Sequence, residues 1–165
     1  MKSPPPAADL LRRLADAMRP HVTVNTVLIG IHTGGVWIAE WLHKVLGLTS
    51  QLGSIDVSYH RDDHHLGGGR SGGRASQLPF DVEGAHVVIV DDVLYTGRTI
   101  RAAMNELFDY GRPARIDLAV LVDRGGRELP IAATWYAGAL SLPASQTLEL
   151  SRGDDGELEF RITEK

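Results

Sequence analysis

Apolar residues in this chain come in short runs separated by polar or glycine-rich stretches. From Ala7 to Met18 they follow the helical period. Leu10, Leu11, Leu14 and Met18 fall near one face, with Arg12, Arg13 and Asp16 off it. Pro4 to Pro6 precede this helix and Pro20 stops it. Thr26 to His32, TVLIGIH, is continuously apolar between polar ends and predicts a buried strand. Thr33-Gly34-Gly35 then reads as a turn. Val36 to Leu46 reads as a helix with Ile38, Trp41, Leu42 and Val45 as its stripe and Gly47 as its stop. Ser54 to His60 predicts a second strand. Ala85 to Val90, AHVVIV, is the strongest strand signal, followed by a loop from Asp91 to Gly97 and a helix from Arg98 to Tyr110 that Gly111 ends. Arg115 to Val122 predicts another buried strand, and Thr134 to Ala137 one more. Thr147 to Leu150 and Glu157 to Ile162 flank Gly153-Asp154-Asp155-Gly156 and predict a hairpin.

Strands alternating with helices predict an α/β fold with a mostly parallel sheet covered on both faces. The 165 residues suffice for one domain, residues 1–165, with a single sizeable core, and no internal repeat is visible. In open parallel sheets ligands bind beyond the carboxyl ends of the strands. Thr33 to Gly35 and Asp91 to Thr99 both follow a predicted strand directly.

The stretch from Arg61 to Leu78 differs in kind. It contains HHLGGGRSGGRASQ, which has too little apolar surface to order itself, and long loops of this sort inside a compact domain are functional or disordered. His64 and His65 are adjacent without a third ligand and read as solvent-exposed. Trp37 and Trp41, four apart on one helix face, and Trp135 read as core or interface anchors.

Composition narrows the function classes. The net charge of −4 argues against a whole-surface attraction to nucleic acid. The absence of cysteine excludes disulfides, thiolate metal sites and a cysteine nucleophile, and fits the cytoplasm. No apolar run approaches the length of a membrane span, and the first residues lack the apolar core of a secretory signal.

The chemistry concentrates in VVIVDDVLYTGRT, Val87 to Thr99. An apolar strand runs into two adjacent acids, and a short loop with Thr96, Gly97 and Thr99 opens a helix. Amides at a helix start lack intrahelical acceptors, and the helix dipole favours an anion there by roughly 0.3–1 kcal/mol. Gly97 lets the backbone approach a phosphate, and the threonine hydroxyls add donors. Asp91 and Asp92 repel a phosphate but can accept hydrogen bonds from sugar hydroxyls or hold Mg²⁺. A lone Asp-Asp pair would read as helix caps. The whole string converges on a sugar phosphate.

The string resembles the binding signature for 5-phosphoribosyl-1-diphosphate (PRPP) of the type I phosphoribosyltransferases. The longer stretch from Val87 to Ile131, with DDVLYTGRT, GRP and LVDRGGRELP, resembles the PyrR family of pyrimidine-operon regulators and uracil phosphoribosyltransferases. LIGIHTGG, Leu28 to Gly35, and IDVSYHRDD, Ile55 to Asp63, extend the likeness. The resemblance implies a type I phosphoribosyltransferase fold with a small hood segment.

It also implies roles. Asp91 and Asp92 would bind the ribose hydroxyls and Mg²⁺, the metal arriving mainly on PRPP. Leu94, Tyr95, Thr96, Gly97, Arg98 and Thr99 would hold the 5′-phosphate, with Val93 completing the nucleotide-binding stretch. Thr33, Gly34 and Gly35 would grip pyrophosphate, although many family members have arginine in the place of Gly34. Arg61, with Asp62 and Asp63, would open a loop over the reacting centre, and Arg70 and Arg74 would neutralise the diphosphate. Asp123, Arg124 and Arg127 would lie near the base, with Gly126 where a histidine is expected. The candidate catalytic set is therefore Asp91, Asp92, Arg61, Arg70 and Arg74.

The implied reaction takes uracil and PRPP to UMP and pyrophosphate, by a homodimer or higher homo-oligomer. The alternative is a UMP-responsive attenuation regulator that binds leader RNA with weak or no catalysis. Transfer to hypoxanthine or guanine, and a nucleotide-binding fold without transfer, are further alternatives.

Overall fold

The computed structural model describes residues 3–58 and 76–165. Among the described residues seven strands form two sheets, and three α-helices accompany them. Helix α1, Ala7–Met18, runs into a single 3₁₀ turn, Arg19–His21. Strand β1, Val27–Ile31, leads into helix α2, Gly34–Val45, and then into β2, Gly53–Ile55. Strand β3, His86–Leu94, leads into helix α3, Arg98–Phe108, and then into β4, Arg115–Asp123. Strand β5, Trp135–Ala139, completes a sheet of order β2-β1-β3-β4-β5, parallel throughout. Strands β6, Gln146–Arg152, and β7, Leu158–Glu164, pair antiparallel as a separate hairpin. The α/β class and the parallel sheet flanked by helices match the sequence-based expectation.

Strand alternation sorts the core into two layers. Leu28, Val88, Val90, Ala119 and Leu121 face α1, α2 and the hairpin, where Leu10, Leu14, Ile38, Leu42, Leu148 and Phe160 meet them. Val27, Ile29, Ile31, Val87, Ile89, Leu118 and Val120 face α3, where Ile100, Ala103 and Leu107 close the other layer. Each central strand is thus buried on both sides, which explains its continuous apolar run.

Several sequence-based boundaries need correction. The expected second strand from Ser54 to His60 is only three residues long within the described part, Gly53–Ile55. Its edge is partly covered, since Ser54 exchanges backbone hydrogen bonds with Gln77 (2.8 and 2.9 Å). The helix expected to start at Val36 starts at Gly34. The loop expected from Asp91 is strand as far as Leu94. The β3 ladder continues because β4 continues beside it, pairing Asp91 with Val120, Val93 with Val122 and Leu94 with Asp123.

At the opposite, amino-terminal edge of the sheet lies a polar cluster that the apolar pattern hides. The Asp117 carboxylate, buried at 6% exposure, accepts hydrogen bonds from His86 Nε2 (2.7 Å), Arg115 Nε (2.8 Å) and Thr134 Oγ1 (3.0 Å). His86 Nδ1 in turn lies 3.3 Å from Thr26 Oγ1. The cluster ties β1, β3, β4 and the start of β5 together. Burial pushes the Asp117 carboxyl up, but the hydrogen bonds from Arg115, His86 and Thr134 and the charge of Arg115 outweigh it and hold it below its ordinary value.

Two stability predictions follow from this packing. A carboxyl lowered in the folded state contributes stability above its unfolded value and loses it as pH falls through the folded one. The stability gap between wild type and Asp117→Asn should therefore narrow as pH drops below 3.8, the ordinary carboxyl value. Urea titrations across the acid range check this, and parallel stability curves would contradict it. A methyl added at Gly35 would overlap the Val90 carbonyl oxygen and come within 3.2 Å of the Asp91 Cα. Gly35→Ala should cost about 1–3 kcal/mol in the same urea unfolding, because backbone on both sides has nowhere to move.

Candidate active site at the carboxyl edge of the sheet

The strand order reverses between β1 and β3. From β1 the chain crosses by α2 to β2 on one side, and from β3 it crosses by α3 to β4 on the other. The two helices therefore pack on opposite faces, as the two core layers show. Their N-termini both begin just past the ends of neighbouring strands. A crevice at such a reversal is where parallel sheets bind ligands.

The acid pair sits in that crevice near the carboxyl end of β3. Asp91 is buried at 8% exposure and Asp92 is half-buried. Asp91 Oδ1 accepts the Asp92 amide (2.9 Å), and Asp92 Oδ1 accepts the Val93 amide (2.8 Å). These bonds fix both carboxylates against their own strand. On the β1 side, Thr33 caps α2 and is exposed, while Gly34 and Gly35 are buried in its first turn. The His32–Thr33 peptide is cis. A Cβ on Gly34 would lie 2.6 Å from Asp92 Oδ2. Glycine at this position thus makes room for the Asp92 carboxylate directly at the start of α2. The expectation that Thr33 to Gly35 form a turn before the helix is corrected accordingly: the two glycines are helical and bring α2 onto β3.

On the other side of the acids, Val93 and Leu94 finish β3, and Tyr95 to Gly97 lead into α3. Gly97 caps the helix with φ of +94°, a left-handed conformation that favours glycine. A Cβ there would also press on Ile131 at 3.0 Å. Thr96 Oγ1 accepts the Arg98 amide (3.2 Å), and the helical ladder begins with Arg101 N to Gly97 O (3.0 Å). The amides of Thr99 and Ile100 precede that bond, at the positive end of the helix dipole. Arg98 is exposed and pairs with Glu128 (3.2 Å).

The loop between β4 and β5 holds this turn from behind. Glu128 N and Leu129 N donate to Thr96 O (2.9 and 3.2 Å). Arg127 donates to Tyr95 O (2.9 Å), to Ile131 O (2.8 Å) and to Asp123 Oδ2 (2.5 Å). Arg124, only 7% exposed, donates to the carbonyls of Gln146, Leu142 and Pro143 (3.1, 3.4 and 3.3 Å), and its guanidinium lies 3.9 Å from the centre of the Tyr95 ring. Asp123, at the end of β4, is adjacent to Leu94 in register. The three residues expected near the base all adjoin the end of β3: Asp123 pairs with Leu94, Arg124 lies against the Tyr95 ring, and Arg127 holds the Tyr95 carbonyl. Nothing in the sequence spacing indicated the Tyr95–Arg124 stack or the Thr96 backbone bonds, since both join segments about 30 residues apart.

Arg61, Arg70 and Arg74, with Asp62, Asp63, His64 and His65, lie outside the described residues. Trp37 and Trp41 are half-buried and line a groove of about 770 Å³ between α1, α2 and the hairpin. That groove shares no residue with the acid pair or the α3 turn. Trp135 is half-buried and its ring lies 5.9 Å from that of His21. Among the described residues no helix is long and apolar enough to cross a membrane.

Comparison with known proteins agrees with this geometry. The family model for the phosphoribosyl transferase domain matches residues 3–143. The chain is similar in fold to the hypoxanthine phosphoribosyltransferase of Trypanosoma cruzi (TM-score 0.60, 23% identity, 82% of this chain and 79% of that one). It is similar also to a purine phosphoribosyltransferase from Pyrococcus horikoshii (TM-score 0.59, 25% identity, 81% of each chain). The fold is that of a type I phosphoribosyltransferase. Among curated proteins it is 49% identical to the bifunctional protein PyrR of Pseudomonas putida strain W619, over 89% of this chain and 88% of that one. It is 46% identical to the PyrR of Pseudomonas fluorescens, over 98% of each. The chain belongs to the PyrR family of phosphoribosyltransferases.

The brace yields a local prediction. Burial pushes the Asp123 carboxyl up, but hydrogen bonds from Arg127 and the Gly125 amide and the Arg127 charge hold it below its ordinary value. Arg127→Gln removes the charge and leaves the burial, so Asp123 should titrate at higher pH than in wild type. Carboxyl ¹³C shifts followed through the acid range measure it, and an unmoved Asp123 titration would contradict the pairing.

Proposed function

We propose that the protein is a uracil phosphoribosyltransferase of the cytoplasm, converting uracil and PRPP to UMP and pyrophosphate with Mg²⁺. One observation carries the reading. The carboxylates of Asp91 and Asp92 stand between the N-termini of two helices at the reversal of strand order, in a chain of the PyrR family. Acids flanked by two anion-favouring helix starts suit a sugar with a phosphate at each end better than they suit a simple anion.

In this reading Asp91 and Asp92 accept hydrogen bonds from the ribose hydroxyls and fix the ring. The 5′-phosphate rests on the turn from Tyr95 to Thr99 and the start of α3. The diphosphate lies toward Thr33, Gly34, Gly35 and the start of α2, and the reading assigns its neutralisation to Arg61, Arg70 and Arg74. As the C1′–oxygen bond breaks, positive charge builds on the ribose and negative charge on the departing diphosphate. The protein's contribution is orientation and oriented dipoles, and no side-chain nucleophile is needed.

The donor set fits Mg²⁺. Among the described residues no group of three or more acids or histidines could hold a metal alone. A carboxylate pair is a suitable partial shell for a hard cation that keeps diphosphate and water oxygens as its other ligands. Asp91 and Asp92 would hold it, and when bound it supplies positive charge to the leaving group.

Uracil is favoured because curated relatives 49% and 46% identical over most of the chain carry the PyrR name, whereas the purine enzyme at 23% identity matches only at the level of the fold. The polar face of α1 carries Arg12 and Arg13, with Arg19 in the 3₁₀ turn that follows, but Asp9 and Asp16 lie on the same helix and Arg12 pairs with Asp9. That face offers little net charge for leader RNA, and the site geometry supports transfer.

A panel of uracil, hypoxanthine and guanine with PRPP and Mg²⁺ tests the base, with pyrophosphate release as the readout. Uracil should be turned over fastest, and faster release with a purine would overturn the choice. Asp92→Asn should lower kcat/KM for PRPP by about 10²-fold or more, the scale of a misplaced reactant, with the fold intact by circular dichroism. Wild-type turnover in that variant would remove Asp92 from the reaction.

A further inference from the structure

The ring of Tyr95 occupies a place that the chain has kept clear for it. Gly125 and Gly126 both have φ in the left-handed region, +73° and +74°. Around Gly125 a Cβ would meet nothing within 4 Å, so its glycine answers to backbone conformation alone. Gly126 is different. A Cβ there would overlap the Tyr95 ring, with Cδ1 at 2.9 Å. Under the same ring lies the Arg124 guanidinium at 3.9 Å. Arg124 is buried, its Nε has no hydrogen-bond partner, and its other nitrogens reach only carbonyl oxygens. Among the described residues no carboxylate forms an ion pair with it. The ring face is therefore a principal source of negative potential for a desolvated cation.

We propose that Tyr95 is a positioning residue for the phosphate-binding turn, its ring held between the Arg124 guanidinium and the notch left by Gly126. Tyr95 is the first residue after β3, and its own carbonyl is held by Arg127. Thr96, Gly97 and the first amides of α3 follow directly. Pinning both the ring and the carbonyl of Tyr95 fixes where those amides begin. The same stack joins the turn to the loop after β4, so a change at Gly126 reaches the phosphate seat through the ring. The inference rests on the functional reading above, in which that turn receives the 5′-phosphate.

The test measures binding of PRPP with Mg²⁺, and of UMP, by calorimetry. It uses the full chain, Tyr95→Phe, Tyr95→Ala, Gly126→Ala and the double variant, with melting temperatures taken in parallel. Losing the desolvated cation–π contact and the seat it fixes should weaken both ligands by about tenfold in Tyr95→Ala. Tyr95→Phe keeps the ring face and should stay within about threefold of wild type, because the stack does not use the hydroxyl. Gly126→Ala should weaken both ligands in the wild-type background and much less in the Tyr95→Ala background. Strain at a positive φ is present in both backgrounds, whereas displacement of the ring exists only in the first, so the double-mutant cycle separates them. Additive effects, a Tyr95→Phe variant as weak as Tyr95→Ala, or a Tyr95→Ala variant that loses melting temperature but not affinity would each overturn the proposal. Failure of the wild type to bind either ligand would overturn the functional reading itself, before any variant is compared.

Discussion

Parallel strands can be joined only by chain that returns to the start of the sheet, and that return sends each helix to one face. Where strand order reverses, neighbouring helices must leave on opposite faces and open a crevice between their beginnings. Here the reversal falls between β1 and β3, and the chain puts two adjacent acids at that point. The remainder of the site depends on this placement. Two helix dipoles make the crevice favourable to anions, and in the proposed function Asp91 and Asp92 divide it into two phosphate-binding ends with a hydroxyl-binding centre.

Such an arrangement needs close packing, because the dipole of a helix acts only within its first turn. Gly35 lets α2 reach the Val90 carbonyl, and Gly34 leaves the space that the Asp92 carboxylate occupies. On the α3 side the same end is met by bonds rather than by close contact. Thr96 O accepts two amides from the loop after β4, and Arg127 gathers Tyr95 O, Ile131 O and Asp123. Arg127 is partly buried, and each of its bonds is charge-assisted, a class about twice as strong as neutral hydrogen bonds. The turn before α3 is thus held by a neighbouring loop as well as by its own Thr96 and Gly97. This explains how a short, polar segment can keep one conformation.

Much of the frame was legible in the sequence for simple reasons. Strands buried on both faces must be continuously apolar, so TVLIGIH, AHVVIV and IDLAVLV announced β1, β3 and β4. Gly97 and the threonines around it announced a helix start able to take an anion. The errors share one cause, which is that local composition was read where a neighbour decides. Asp91 and Asp92 look like the end of a strand, yet β4 runs beside them and keeps the ladder going. Gly34 and Gly35 look like a turn because glycine is a poor helix former, yet the β3 backbone leaves no room for a side chain at Gly35, and Gly34 leaves space for the Asp92 carboxylate at the start of α2. The Asp117 cluster and the Tyr95–Arg124 stack had no local signature at all. Both join residues from different strands or loops, and only the folded register brings them together.

The central claim is that main-chain amides at the start of α3, beside Asp91 and Asp92, form the seat of a ribose 5-phosphate. Amide ¹H–¹⁵N shifts recorded while ribose 5-phosphate is titrated into the protein test it most directly. The largest shifts should fall on Thr96 to Ile100 and on Asp92 and Val93, saturating together with one affinity. Shifts that cluster instead along the α1–α2 groove, or saturation that leaves the α3 turn unmoved, would contradict the account.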